Sequence, residues 1–318
     1  MKKIIDDEQT LIEISDLYYN QDLTQSEIAK RFQISRPTVS KMLQLAKKYG
    51  IVKIQISNVM DRNFFKLERK LQEKYNLKEV IIVNTKEDAT EQKDELGKAT
   101  AIYLSRIMKE DDIVGVSMGT TLSHIAKFVN HTVPYSKVTF IPLVGGLGQI
   151  EADLHANILA ESLAKAYGGQ FLPFHAPAVV SRYQTKMELL QEDSVRCVFE
   201  KIKKISIALL AIGNLASDST ILKAGYYSES KFQRFKEQGA VGDICLKFYD
   251  IHGNMNQFKS NENVIAVDFE ELKEKSYTVA LFAGVEKVFA AYGLLKGKLT
   301  NCIILDYECA KALYEMEV

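Results

Sequence analysis

The stretch LTQSEIAKRFQISRPTVSKMLQL, residues 23–45, decides how the first part of the chain is read. Thr24 is placed to cap a helix start, and Glu27, three residues on, completes a capping box. Ile28 and Ala29 supply that helix's inner face, and Phe32 and Ile34 bracket a short turn. Ser35 then caps a second helix, whose first turn tolerates Pro37. Val39, Met42, Leu43 and Ala46 recur at helical spacing and are expected to bury against the first helix. Arg36, Thr38, Ser40 and Lys41 fall on the opposite face. This is a helix-turn-helix pattern, in which the N-terminal turns of the second helix meet the major groove of duplex DNA. Thr24 and Gln25 at the first helix's start, with Pro37 and Lys47, complete the expected DNA-contacting set.

The local charge agrees. Between Lys30 and Lys53 the charged residues are Lys30, Arg31, Arg36, Lys41, Lys47, Lys48 and Lys53, with no acid among them. Phosphate neutralisation needs such a one-signed surface. An ordinary helical hairpin with a solvated basic face is the competing reading.

Outward from this stretch, Leu11, Ile14, Ser15 and Tyr18 are at helical spacing, as a supporting helix over 8–20 requires. Gly50 ends the second helix of the motif. IVKIQIS, 51–57, alternates like a wing strand, and Asn58 to Asp61 is the joint. Residues 62–76 read as a charged amphipathic helix with Phe64, Leu67, Leu71 and Tyr75 on one stripe, which could link the head to the second domain or pair with a partner subunit, packing on its own domain being the favoured reading. The domains are thus 1–57 for the head and 58–318 for the rest, with 58–76 as linker and helix.

From residue 80 short apolar runs appear: VIIV (80–83), IVGVS (113–117), VTFIPLVGG (138–146), ISIALLAIG (205–213), TVALFAG (278–284) and NCIILD (301–306). Helical stretches separate most of them. Continuous runs mark a parallel sheet covered on both faces, and their alternation with helices predicts a doubly wound α/β domain. In such a sheet, ligands bind at the carboxyl ends of strands where strand order switches.

That rule makes the strand ends the candidate ligand contacts. IVGVS runs through Met118 into Gly119, Thr120 and Thr121, then into an expected helix, LSHIAKFV. Backbone N–H groups and two hydroxyls there suit a phosphate; from the loop alone a plain tight turn reads equally well. Gly145, Gly146 and Gly148 allow close backbone approach to a ligand, or a simple turn. Gly213 and Asn214 end another strand. Gly242 and Asp243 read as a turn before a further strand, with Asp243 able to accept hydroxyl hydrogen bonds. Lys287 falls in the first turn of a helix, where the dipole opposes a cation unless an anion compensates; a solvated lysine is the alternative.

Bulk properties bound the rest. The 318 residues carry 41 basic and 41 acidic side chains, so the basic stretch is local. Hydrophobic residues make up 47% of the chain, enough for a packed core. Cys197, Cys245, Cys302 and Cys309 form no metal-binding spacing and read as reduced, mostly buried thiols. No apolar leader or membrane-length run occurs, which fits a cytoplasmic protein without membrane attachment. Neither a metal nor a cofactor is expected.

Taken together, these residues resemble one family, the SorC-type sugar-binding transcriptional regulators of bacteria. Tyr18 and Tyr19, TQSEIAKRFQISRPTVSKML and GIVKIQI carry the likeness in the head. GTT (119–121), PLVGGLG (142–148), APAVV (176–180), GAVGDI (239–244) and AGVEKVFAAYGLLKGKLTNCIILDYECAKAL carry it in the second domain. The resemblance implies a winged or extended helix-turn-helix head and a doubly wound, mostly parallel-sheet effector domain related to sugar-phosphate isomerases. It further implies a dimer or tetramer on double-stranded operator DNA and a phosphorylated sugar as effector. Carried onto this sequence, the phosphate side is Gly119, Thr120, Thr121 and Lys287. The sugar side is Gly146, Leu147, Gln149, Arg182, Asn214 and Asp243. One departure is Ala283, where the family often has the first glycine of a pair; its methyl trims space beside Lys287.

Two rivals follow. A sugar-phosphate isomerase needs an acid and a base within reach of two adjacent carbons; Asp243 with His124, His155 or His175 would have to supply them. A regulator with a degenerate pocket would bind DNA and no effector.

Overall fold

The computed structural model describes residues 7–52, 64–130, 135–146, 155–216, 219–223, 225–275 and 277–317. The chain divides into two compact units, Met1–Asp61 and Arg62–Val318.

The first unit holds three helices: α1 (Glu8–Tyr19), α2 (Gln25–Arg31) and α3 (Arg36–Lys48). The expected caps form. Thr24 Oγ1 accepts from the Glu27 N–H at 3.3 Å while the Thr24 N–H donates to the Glu27 carboxylate at 2.8 Å. Ser35 Oγ accepts from the Thr38 N–H at 3.3 Å. Each bond satisfies a donor that a helix start otherwise leaves open. Gln33 takes a left-handed φ of 53° in the turn between α2 and α3, and Gly50, φ 74°, follows the end of α3. The core is Leu11, Ile14 and Leu17 of α1, Ile28 and Ala29 of α2, and Val39, Met42, Leu43 and Ala46 of α3. Ile51 and Val52 pack partly against it; the rest of the expected wing strand, 53–57, and the joint, 58–61, lie outside the described residues.

The second unit opens with α4 (Phe65–Tyr75), closed by Asn76 in the left-handed region. The stripe anticipated over 62–76 is spent on its own unit. Leu71 is fully buried, Phe64, Leu67 and Tyr75 pack against the core, and Phe64 stacks on Tyr307 with ring centres 5.0 Å apart.

Seven parallel strands follow: β1 (Glu79–Val83), β2 (Ile113–Val116), β3 (Thr139–Pro142), β4 (Gln170–Phe171), β5 (Ile207–Ala211), β9 (Tyr277–Phe282) and β10 (Cys302–Asp306). Their order across the sheet is β1-β10-β9-β5-β2-β3-β4. Successive residues of β1 explain the apolar runs. Val80 and Ile82 enter the core on one face, Ile81 and Val83 the core on the other. The covering helices are α5 (Ala89–Ile107), α6 (Ala156–Tyr167), α7 (Tyr183–Leu189), α8 (Asp193–Ile202), α9 (Thr220–Lys223), α10 (Glu229–Glu237), α11 (Phe269–Lys273), α12 (Val288–Lys296) and α13 (Tyr307–Glu315). This is the doubly wound, mostly parallel α/β architecture.

Two local expectations are corrected. LSHIAKF, 122–128, forms a 3-10 helix rather than an α-helix. Gly242 and Asp243 lie inside a strand, not a turn. They belong to β7 (Ala240–Ile244), which pairs with β6 (Gly213–Asn214) and β8 (Lys247–Asp250) in a small antiparallel sheet. Glycine and aspartate disfavour strands locally, and pairing on both sides overrides that preference. The turn proper is Cys245-Leu246, both at positive φ of 48° and 65°, as a two-residue hairpin needs. Among the described residues no helix is long and apolar enough to cross a membrane.

Candidate DNA-binding face and effector cleft

In the first unit, Arg36, Lys41 and Lys47 are exposed on α3 and Ser40 is half-buried beside them. A surface groove of about 560 Å³ is lined by Tyr18, Tyr19, Asp22, Leu23, Thr24, Gln25, Ser26 and Arg36. It brings Thr24 and Gln25, at the start of α2, to Arg36, at the start of α3. Two expected contact residues already have work inside the fold. The Thr24 hydroxyl donates to Glu27 at 2.7 Å, and that of Thr38 is paired with Ser35 at 2.8 Å. Pro37 is exposed in the first turn of α3. The Lys47 ammonium lies 5.7 Å from the centre of the Tyr19 ring, a cation–π contact. Sequence reasoning did not assign Tyr18, Tyr19 or Ser26 to this groove, because a groove between two helix starts has no linear signature.

In the second unit, strand order reverses between β2 and β5. From β2 the chain steps to β3 and β4, and from β5 to β9 and β10 in the other direction. Carboxyl ends that diverge this way leave a crevice. A cleft of about 1370 Å³ opens there, lined by the ends of β1, β2, β5, β9 and β10 and by β6 and β7. Gly119, Thr120, Thr121, Asn214, Asp243 and Lys287 all line it.

Local chemistry explains their placing. Gly119 has a φ of 141°, and a Cβ there would stand 2.8 Å from the Ala211 methyl. Only glycine lets this loop pass so close to the end of β5. Gly213 likewise has no room for a Cβ, because the Asp243 carboxylate occupies that space. Asp243 is 5% exposed. Burial pushes its carboxyl up to about 6, against the opposing pull of the Lys287 ammonium and the Leu246 N–H.

Lys287 closes a 3-10 turn, Val285–Lys287, and forms the N-cap of α12. Its ammonium donates to the Ile212 carbonyl at 2.9 Å and feels the Asp243 charge. The compensation that the helix dipole calls for is therefore partly internal. The 3-10 helix after Thr121 also offers a shorter run of aligned donors than the α-helix expected there.

The Gly284 loop is held by a residue that sequence reasoning passed over. Asp306, at the end of β10 and 1% exposed, accepts from the Gly284 N–H and the Thr85 hydroxyl, both at 2.8 Å, and caps α13. A carboxylate ending the run NCIILD at a strand's carboxyl end was the available signal. Lys86, Lys93 and Lys231 also line the cleft, as do the acidic Glu87 and Glu286, without a motif to mark them.

The structure does not gather every expected residue. Gly146 is not among the cleft's lining residues; its N–H donates to the Ala176 carbonyl at 2.9 Å, and a Cβ there would meet the Asn157 amide at 3.1 Å. Arg182 is exposed at the start of α7 and does not line the cleft, although Ser181 does. Leu147 and Gln149 lie outside the described residues.

The isomerase geometry is not assembled either, since His124, His155 and His175 are not among the lining residues. His124 instead pairs with Asp94 at 2.5 Å, joining the 3-10 helix to α5. Among the described residues no group of three or more acidic, cysteine or histidine side chains could hold a metal.

A small helical unit with a helix-turn-helix, and an α/β unit with a polar cleft at its switch point, define a ligand-responsive DNA-binding protein. Comparison with known proteins gives the family. Residues 61–315 match the family described as "Putative sugar-binding domain". The chain is 31% identical to the deoxyribonucleoside regulator of Bacillus subtilis (strain 168) over 309 residues, covering 96% of this chain and 97% of that protein. It is 27% identical to the sorbitol operon regulator of Klebsiella pneumoniae over 312 residues, covering 97% and 98%. The crystal structure of the full-length sorbitol operon regulator SorC from Klebsiella pneumoniae matches with a TM-score of 0.75 at 27% identity. That match covers 98% of this chain and 100% of SorC. The chain belongs to the SorC-type family of sugar-binding transcriptional regulators.

Proposed function

We propose that this regulator's affinity for operator DNA is set by a small phosphorylated carbohydrate held, without turnover, in the cleft at the switch point. The observation that carries the reading is the convergence of Gly119, Thr120, Thr121 and Lys287 from two strands, β2 and β9, that are not neighbours. A phosphate there gains two hydroxyl donors, a close backbone and an ammonium. Asn214 and Asp243, on the small sheet, take the sugar hydroxyls. The names of the relatives, a deoxyribonucleoside and a sorbitol operon regulator, point to ribosyl and polyol phosphates as the first compounds to try.

Arg36, Ser40 and Lys41 read the duplex in this proposal, with Gln25 and Lys47 on its backbone. One small head offers little contact area, so tight binding needs an oligomer presenting paired heads to paired half-sites. The effector acts by binding one arrangement of the oligomer better than another.

The test is fluorescence anisotropy of an operator duplex titrated with the protein, alone and with each sugar phosphate, beside light scattering. An effector that shifts the operator Kd, with its dephosphorylated form far weaker, is the expected result. Equal action of the two forms removes the phosphate from the proposal. Product formation from the same compounds replaces it with an enzyme. A monomer both with and without DNA removes the paired heads.

A further inference from the structure

Among the described residues, four buried side-chain hydroxyls have no hydrogen-bond partner: those of Ser15, Ser219, Tyr226 and Ser260. Ser15 lies in the head. Ser219 and Tyr226 both line the effector cleft. Leaving a hydroxyl out of water and unpaired is costly, and folded proteins do it seldom.

Other tyrosines of this unit show how the fold ordinarily meets that cost. The Tyr249 hydroxyl donates to the Ala290 carbonyl at 3.0 Å, that of Tyr167 to the Ala101 carbonyl at 3.2 Å, and that of Tyr75 to the Leu313 carbonyl at 2.8 Å. Tyr226 departs from this practice. Its backbone is engaged, with the N–H donating to the Ile221 carbonyl, and the Ser219 N–H donates to the Ala216 carbonyl at 3.1 Å. The two side-chain hydroxyls are left without partners. Ser219 is 8% exposed, so little water reaches it.

We propose that the Ser219 and Tyr226 hydroxyls bind oxygens of the carbohydrate itself, making these two residues the ones that tell one sugar phosphate from another. The proposal rests on the phosphorylated-carbohydrate reading above and extends it. Each hydroxyl both donates and accepts, and so does a sugar hydroxyl. The phosphate candidates come from other segments, after β2 and β9. Ile221 also lines the cleft and offers an apolar surface to the sugar's C–H bonds. A site built to pair buried hydroxyls discriminates strongly against a ligand that lacks the matching oxygen.

The test uses the full chain and its Tyr226→Phe and Ser219→Ala variants. Calorimetry is run with inorganic phosphate, ribose 5-phosphate, 2-deoxyribose 5-phosphate, fructose 6-phosphate and sorbitol 6-phosphate, and the Tm of the free protein is recorded. At least one sugar phosphate is expected to bind the unmutated chain tenfold or more tighter than inorganic phosphate. Tyr226→Phe then loses about tenfold for that compound, keeps its affinity for inorganic phosphate, and melts at the same or a higher temperature. Inorganic phosphate binding as tightly as every sugar phosphate would overturn the proposal and leave the phosphate site standing. Unchanged sugar-phosphate affinity in both variants would also overturn it, whatever their Tm. Binding of neither phosphate nor any sugar phosphate would fell the underlying reading, and this one with it.

Discussion

Thr24 caps a helix through Glu27, and Ser35 through Thr38, each three residues away. Lys287, in the cleft, bonds the carbonyl of Ile212, 75 positions distant, and Thr85 bonds Asp306 across 221. The head is shaped by short-range bonds and a core of nine buried side chains from three helices. The cleft is shaped by the order of strands in a sheet, and its residues share no segment. A substitution in the head therefore acts on a small unit with little stability to spare. A substitution in the cleft acts on a distant partner while the sheet beneath it stays intact.

The largest test of this contrast is Met42→Ala. Met42 is fully buried in the head, and truncating such a side chain costs about 2–5 kcal/mol. Operator binding is expected to disappear, with an early melting transition in calorimetry, while effector affinity stays as it was. Equal damage to both activities would show that the two units do not stand alone.

Next comes Asp243, with its carboxyl raised from 3.8 to about 6 by burial. The folded protein keeps this proton where the unfolded chain has already lost it. The stabilising contribution is whole below about pH 4 and is lost as pH rises to about 6, a change of about 3 kcal/mol. Asp243→Asn should flatten that part of the urea-unfolding profile and raise stability at pH 7 to 8. A profile unchanged by the substitution would mean that the slope belongs to other groups.

Lys287→Ala is smaller in energy and sharper in meaning. A charge-assisted bond to phosphate is worth about 1.5–3 kcal/mol, so inorganic phosphate should bind roughly ten- to a hundredfold more weakly by calorimetry. Operator binding without effector should be unaltered. Retained phosphate affinity would leave Lys287 as a structural link between Ile212 and Asp243 alone.

The same contrast sets what could be read in the sequence. Thr24, Glu27, Ser35 and the stripe Val39, Met42, Leu43, Ala46 were legible because helix signals repeat within a few residues. The six strand runs were legible because burial on both faces leaves them continuously apolar. Gly119, Thr120, Thr121, Asn214, Asp243 and Lys287 could be picked out as strand ends, and the fold collects them in one cleft. Which other strand ends join them was not legible. Gly146 follows β3, on the far side of β2 from β5, and turns toward Ala176 instead. Lys86 and Asp306 enter only because β1 and β10 sit where the strand order puts them. Ser219 and Tyr226 could not be found at all, since an unpaired hydroxyl exists only after everything around it has packed.

The smallest expected effect separates two residues of one helix. Arg36 is exposed at the start of α3, in the groove shared with Thr24 and Gln25. If it meets a base edge, Arg36→Ala costs about 1–3 kcal/mol on the operator and relaxes specificity at one position. Lys47 lies near the other end of α3, and its ammonium is already drawn to the Tyr19 ring at 5.7 Å. If it meets the duplex from there, the expected contact is phosphate rather than a base edge. Lys47→Ala should weaken every duplex alike, by well under the Arg36 effect, and lower the slope of log K against log salt by about 0.9, one phosphate contact. Tyr19→Leu, which removes the ring and keeps the lysine, should leave that slope in place. Anisotropy at several salt concentrations, on an operator and on an unrelated duplex, measures all three variants. A sequence-selective loss at Lys47, or a uniform one at Arg36, would reverse their roles and turn the reading end of the helix around.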